Sequence, residues 1–197
     1  MSPERGEPER IVVVGASGSG KTTLAAALGE SLRLPVHNLD NLAREGGGTG
    51  PETSTEHRRG AVDRILASGH WIAEGVHLGW TEPLLEAADI VIWLDHVTWT
   101  QASRGIIRRF AAQALAEMRR QKGLRKITRV RDYARRLGEL LAAIPEARAY
   151  ERASSDNDLA GREATARRMA ALGDKVVHCR TSAEVRDLAS GLTSRPS

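Results

Sequence analysis

Eight consecutive residues, Gly15-Ala16-Ser17-Gly18-Ser19-Gly20-Lys21-Thr22, restrict this chain more than any other stretch of it. They complete the Walker A pattern, and both flanks fit. Before them Ile11, Val12, Val13 and Val14 form a short β-branched run that reads as a buried strand, and after them Thr23-Leu24-Ala25-Ala26-Ala27-Leu28 reads as a helix. In a strand, loop and helix of this kind the loop's N–H groups converge on a phosphate, and the helix N-terminus adds the positive end of its dipole. Lys21 then reaches the β- and γ-phosphates, and Thr22 offers a hydroxyl to Mg²⁺. Gly15, Gly18 and Gly20 let the backbone come close to the phosphates and take positive φ without a Cβ clash. The nucleotide-binding set is therefore Gly15, Ala16, Ser17, Gly18, Ser19, Gly20, Lys21, Thr22 and Thr23.

Length allows one such domain. With 197 residues, 41% of them apolar, the chain can bury one sizeable core. The expected division is a loose tail over 1–10, a single domain over 11–190 and a second tail over 191–197. Met1 to Arg10 is charged, holds two prolines and has no apolar stretch of the kind a signal peptide needs. No apolar run approaches the roughly 18 residues that cross a bilayer. The lone Cys179, inside Val176-Val177-His178-Cys179, reads as a buried strand thiol, and one cysteine forms no internal disulfide. These features favour a cytoplasmic protein without membrane attachment. The six histidines show no metal-ligand spacing, so no protein-held zinc is assigned.

Charge is unevenly placed. The net charge is only +4, yet residues 104 to 136 carry twelve Lys and Arg against two acids, Glu117 and Asp132. Such a block contacts nucleic acid or a membrane surface, forms a solvated helical face, or closes over a polyanionic nucleotide. The phosphate loop favours the last. Few aromatics interleave the block, and no helix-turn-helix or stacking platform is recognisable, which argues against a nucleic-acid partner.

Strand candidates recur along the chain at Ile11–Val14, Pro35–Leu39, Trp71–Ala73, Ile90–Leu94 and Lys175–Cys179. Helical stretches separate them, which predicts an α/β, doubly wound parallel sheet in three layers. Val62, Ile65 and Leu66 predict a helix over Thr55 to Ser68, and Ala102 to Met118 and Leu124 to Ile144 predict two more. Thr181-Ser182-Ala183-Glu184 predicts a capped closing helix. The glycine run from Gly46 to Gly50, ending at Pro51, has no strand before it and reads as a loop.

Taken together, GASGSGKTTLA, Leu39-Asp40, Trp71-Ile72-Ala73-Glu74-Gly75, Ala88 to Asp95, and Arg104 with Arg108-Arg109 resemble the adenylate kinase-like P-loop kinases. Within them the chain is most similar to the topology modulation proteins, and its loop also resembles that of uridine kinases. The resemblance implies a five-stranded sheet in the order 2-3-1-4-5, with ATP at the loop and an acceptor across the carboxyl edge of the strands. It implies Glu74 as the acid that orients Mg²⁺, at the end of the strand beside the loop. Asp95 has the apolar run of a Walker B acid but falls on the other side of the first strand, and is the second choice. Asp40 takes the place of an acid that binds or deprotonates the acceptor, and Arg104 with Arg108 the place of an arginine pair aimed at the transferring phosphoryl group, with Arg109 as an alternative. The segment over about 104–148 is implied to be an arginine-rich helical lid, and Arg180 to stack on adenine. After Asp40 the chain departs from the topology modulation pattern, reading Asn41-Leu42-Ala43-Arg44-Glu45 and then glycines, so the acceptor pocket differs. The resulting expectation is a Mg²⁺- and ATP-dependent kinase acting on a small acceptor such as a nucleoside or nucleotide, as a monomer or homodimer. The alternative is an ATP-binding regulatory module with weak NTPase activity that acts on nucleic acid or a protein partner.

Overall fold

A computed structural model describes residues 8–16, 18–45, 51–75, 79–96 and 161–193. Five strands form one parallel sheet: β1 (Arg10–Gly15), β2 (Val36–Asn38), β3 (Trp71–Glu74), β4 (Ile90–Leu94) and β5 (Val176–Cys179). Their order is β2-β3-β1-β4-β5, as expected. The phosphate-loop strand lies at the centre, paired with β3 through Val13 opposite Glu74 and with β4 through Gly15 opposite Leu94. A central strand of a parallel sheet is covered on both faces, which is why Ile11 to Val14 is continuously apolar and does not alternate.

The helices divide between the faces. Helix α1 (Lys21–Leu32) lies on one side with the last helix, α6 (Ser182–Thr193). There Leu24, Ala25 and Leu28 meet Ile11, Val13, Ile72, Ile92, Leu94 and Cys179, and Val185, Leu188 and Leu192 close over them. The other face takes α3 (Thr55–Ser68), α4 (Glu82–Ala87) and α5 (Arg162–Leu172), whose Val62, Ile65, Leu84, Leu85 and Met169 cover Val12, Val14, Trp71, Ala73, Val91 and Trp93. Among the described residues, no helix is long and apolar enough to cross a membrane.

Several boundaries differ from the sequence expectation for local reasons. The second strand stops at Asn38 instead of Leu39, because the Asn38 side chain accepts the Asn41 N–H and starts a short helix, α2 (Leu39–Ala43). Leu39 then turns into the core. Lys175 belongs to a 3₁₀ turn, Gly173–Lys175, and not to β5. Helix α3 has the expected limits: Ser54 Oγ accepts the His57 N–H at 3.1 Å, and Gly69 ends it at φ 77°. The closing helix is capped as expected, with Thr181 Oγ1 accepting the Glu184 N–H at 3.2 Å. The Glu184 carboxylate reaches back to the Arg180 N–H at 2.6 Å. Helices α4 and α5 were not anticipated, and the helices expected within residues 102–144 lie outside the described residues.

Leu28 is wholly buried between α1 and the sheet, so its truncation tests the packing that fixes α1 behind the loop. Leu28→Ala is expected to cost about 2–5 kcal/mol. It should appear as a lower urea midpoint with an unchanged m-value.

Candidate nucleotide site

At the carboxyl end of β1 the chain must turn beside β4 with almost no room. A Cβ on Gly15 would lie 2.6 Å from the Leu94 carbonyl oxygen and 2.9 Å from Ser19 Oγ, so only glycine permits this approach. The loop closes with the Ser19 N–H donating to the Ala16 carbonyl at 3.1 Å, and Gly20 enters α1 at φ 93°. Helix α1 starts with no side-chain cap and no acid in its first turn. Its N-terminal N–H groups and dipole are thus left for an anion from outside the chain. Ser17 lies outside the described residues.

The Lys21 ammonium folds back over the loop and donates to the Ala16 carbonyl at 3.1 Å. It is 7% exposed. Burial lowers its pKa, and the charges of Asp40 and Glu74 partly counter that shift. A phosphate chain would give this buried cation the counter-charge that the carbonyl cannot.

Glu74 ends β3, beside the loop, and is 1% exposed. Its Oε1 accepts the Thr22 hydroxyl at 2.9 Å and the Asn38 side-chain amide. Its Oε2 is buried with no hydrogen-bond partner. A carboxylate with one oxygen unsatisfied, next to a threonine hydroxyl, is a hard oxygen donor set that suits Mg²⁺ with its waters. The residues present therefore fit the ion.

Asp40 stands in the first turn of α2, on the same carboxyl edge of the sheet. The base of the following loop is pinned, with Arg44 bridging Glu52 in antiparallel fashion and the Thr53 hydroxyl donating to the Leu42 carbonyl at 2.7 Å. Gly46 to Gly50 lie outside the described residues.

Asp95 directly follows β4 on the opposite side of β1, in very different company. Arg162, at the start of α5, grips it through two hydrogen bonds of 2.7 Å, and His178 Nε2 lies 3.0 Å from its Oδ2. The parallel register sets Trp93 beside His178, and their rings stack with centroids 3.9 Å apart. Arg180 Nε donates to His178 Nδ1 at 3.3 Å, which makes Nε2 the protonated nitrogen that donates to Asp95. Burial alone would raise the Asp95 pKa, but the hydrogen bonds from Arg162 and His178 and the charge of Arg162 outweigh it and the net shift is downward. Both oxygens of Asp95 are committed. Glu74, the first-choice metal acid, keeps one to offer.

Arg180 follows β5 on the same carboxyl edge and is exposed. Arg104, Arg108 and Arg109 lie outside the described residues, as does the segment expected to form the lid. Sequence reading missed Asn38, Arg162 and His178. Asn38 carried a usable signal, since asparagine at the end of a strand is a strong helix cap. The Arg162 pairing spans 67 positions and left none.

Fold and loop together define an α/β protein with a five-stranded parallel sheet and a glycine-rich loop between its central strand and α1. No family model matches the chain, and no curated protein matches it. Among solved structures it is similar to a gluconokinase from Sinorhizobium meliloti 1021, at 17% identity over 95% of this chain and 97% of that one, with a TM-score of 0.47. It is similar also to a shikimate kinase from Acinetobacter baumannii in complex with shikimate, at 15% identity, 93% and 90% coverage and a TM-score of 0.42. A sugar kinase from Janibacter sp. HTCC2649 matches at 18% identity, 95% and 91% coverage and a TM-score of 0.36. The expected likeness to the topology modulation proteins finds no support among these three. Likeness at this level concerns the fold, and the chemistry is read from the residues of this chain.

The Asp95 shift sets a pH dependence. A carboxylate whose folded pKa is depressed contributes stability above its unfolded pKa, about 3.9, and loses it as pH falls through the folded value. Asp95→Asn should therefore lower Tm at pH 7, and the gap to the wild type should narrow below about pH 4. Thermal melts by circular dichroism from pH 3 to 7 would check this; a gap that stays constant over that range would contradict it.

Proposed function

We propose that this chain is a P-loop kinase that binds Mg²⁺ and ATP and transfers the γ-phosphoryl group to a small hydroxyl- or phosphate-bearing acceptor. The observation that carries this reading is Glu74. It is a buried carboxylate with one free oxygen, hydrogen-bonded to the Thr22 hydroxyl, at the mouth of a loop whose lysine is buried and folded back onto the Ala16 carbonyl.

In this reading the loop N–H groups and Lys21 hold the β- and γ-phosphates, and Thr22 and Glu74 hold Mg²⁺. When bound, the ion neutralises charge on the β- and γ-oxygens. Asp40 accepts the proton of the acceptor hydroxyl as that oxygen bonds to the γ-phosphorus and the bond to the β–γ bridging oxygen breaks, leaving ADP. Arg104 and Arg108 are proposed to meet the transferring group, where charge spreads over its equatorial oxygens.

A screen with γ-labelled ATP across nucleosides, nucleotides, small sugars and hydroxy acids tests the proposal directly. Acceptor-dependent transfer of label supports it. ATP binding without transfer to any acceptor, together with salt-sensitive nucleic-acid binding, would favour the regulatory module instead.

Two substitutions sharpen the assignment. Lys21→Met keeps the buried stem and removes the ammonium, so a folded variant should lose at least about tenfold in ATP affinity and on the order of 10²-fold or more in rate. Glu74→Gln keeps an oxygen for Thr22 and Asn38 but removes the charge, so the Mg²⁺ concentration giving half-maximal activity should rise. Asp95→Asn should leave that concentration unchanged.

A further inference from the structure

Asn38 is the last residue of β2, and the parallel register sets it directly beside Glu74. Its side chain works in two directions. Oδ1 accepts the Asn41 N–H at 2.8 Å and so caps α2, the helix that carries Asp40. Nδ2 donates to Glu74 Oε1. The orientation of the amide is fixed by chemistry: Asn41 presents a donor, so the oxygen must face it, which leaves the NH₂ group for the carboxylate.

The other donor to Glu74 Oε1 is the Thr22 hydroxyl, on the first turn of α1. Two donors on one oxygen lock the carboxylate and leave Oε2 buried without a partner. Lys21 feels the charges of both Asp40 and Glu74, so two carboxylates already converge near one ammonium. An aspartate at position 38 would cap α2 equally well but would set a third negative charge against Glu74. A serine would cap but is too short to reach Glu74 as the amide does. The amide alone joins a cap acceptor and a carboxylate donor in one rigid plane.

We propose that Asn38 is a positioning residue that ties the two sides of the site together. Its donor end holds Glu74 so that Oε2 faces the Mg²⁺ position, and its acceptor end holds the turn that carries Asp40. This role rests on the function proposed above, and two substitutions divide it. Asn38→Ser keeps the cap and loses the link to Glu74, whereas Asn38→Ala loses both.

The experiment is calorimetric binding of a non-hydrolysable ATP analogue with Mg²⁺ and with EDTA, alongside backbone hydrogen exchange at Asn41. The wild type should bind the analogue more tightly with Mg²⁺. In both variants that enhancement should fall about tenfold, while affinity in EDTA stays within about twofold of wild type, which also shows that the loop is folded. Exchange at Asn41 should quicken in Asn38→Ala and stay slow in Asn38→Ser. If the variants keep the full Mg²⁺ enhancement, or if Asn41 exchanges alike in both, the role of Asn38 falls alone. If the wild type itself gains nothing from Mg²⁺, the proposed function falls and this role with it. Should Asn38→Ala not fold, Asn38→Ser decides the Mg²⁺ outcome by itself.

Discussion

Two opposite charges buried at the carboxyl end of the central strands are the constraint around which the rest of this structure is arranged. Taking the Lys21 ammonium and the Glu74 carboxylate out of water carries a penalty of several kcal/mol per ion unless hydrogen bonds and opposite charge offset it. The chain supplies only part of that compensation. Lys21 has one carbonyl, Glu74 has two donors on one oxygen, and the remaining oxygen has nothing. A fold that keeps such a cluster has stability stored as an unmet demand for an anion on one side and a cation on the other. In the proposed function, a magnesium-bound polyphosphate would supply both.

The sheet makes the cluster possible. Because β1 pairs in parallel with β3 and with β4, the carboxyl ends of three strands meet along one edge, and residues distant in sequence become neighbours there. The continuous apolar run of β1 is the cost of that position, since a strand covered by helices on both faces has no side left for polar residues. The same burial explains the glycine at its end. Any side chain on Gly15 would displace Leu94 or Ser19 and open that edge.

What the sequence made legible follows from which interactions are local. Strands β1, β4 and β5 hold short runs rich in β-branched residues, β3 a Trp-Ile-Ala run and β2 a single valine, and the helical spacing of Val62 and Ile65 marked α3. Glu74 came from the resemblance, since an acid that ends an apolar run before a glycine is not by itself marked out from a loop acid. Helix α4 has six residues, too few to show a period, and α5 buries Thr165 and Met169 along a weakly apolar face. Neither is marked by periodicity. The strand order came from a resemblance and not from any property of the strands, for a parallel sheet built of near-identical apolar runs encodes its order in crossovers that local patterns do not record. The partners of Asp95 and the second hydrogen bond of Asn38 are likewise products of that order.

The contrast between Glu74 and Asp95 shows why the order matters for chemistry. Both lie at the carboxyl ends of strands that flank β1, and both follow an apolar run, so pattern alone cannot rank them. Their surroundings do. Asp95 meets a guanidinium and an imidazole, and its charge is spent on holding α5 and β5 together. Glu74 meets two neutral donors, a hydroxyl and an amide, which orient a carboxylate without cancelling its charge. A carboxylate neutralised by arginine has little left to give a cation, whereas one oriented by neutral groups keeps its full charge for it. An acid at mirrored positions thus braces the fold on one side of the loop and, on the other, keeps one buried oxygen without a hydrogen-bond partner.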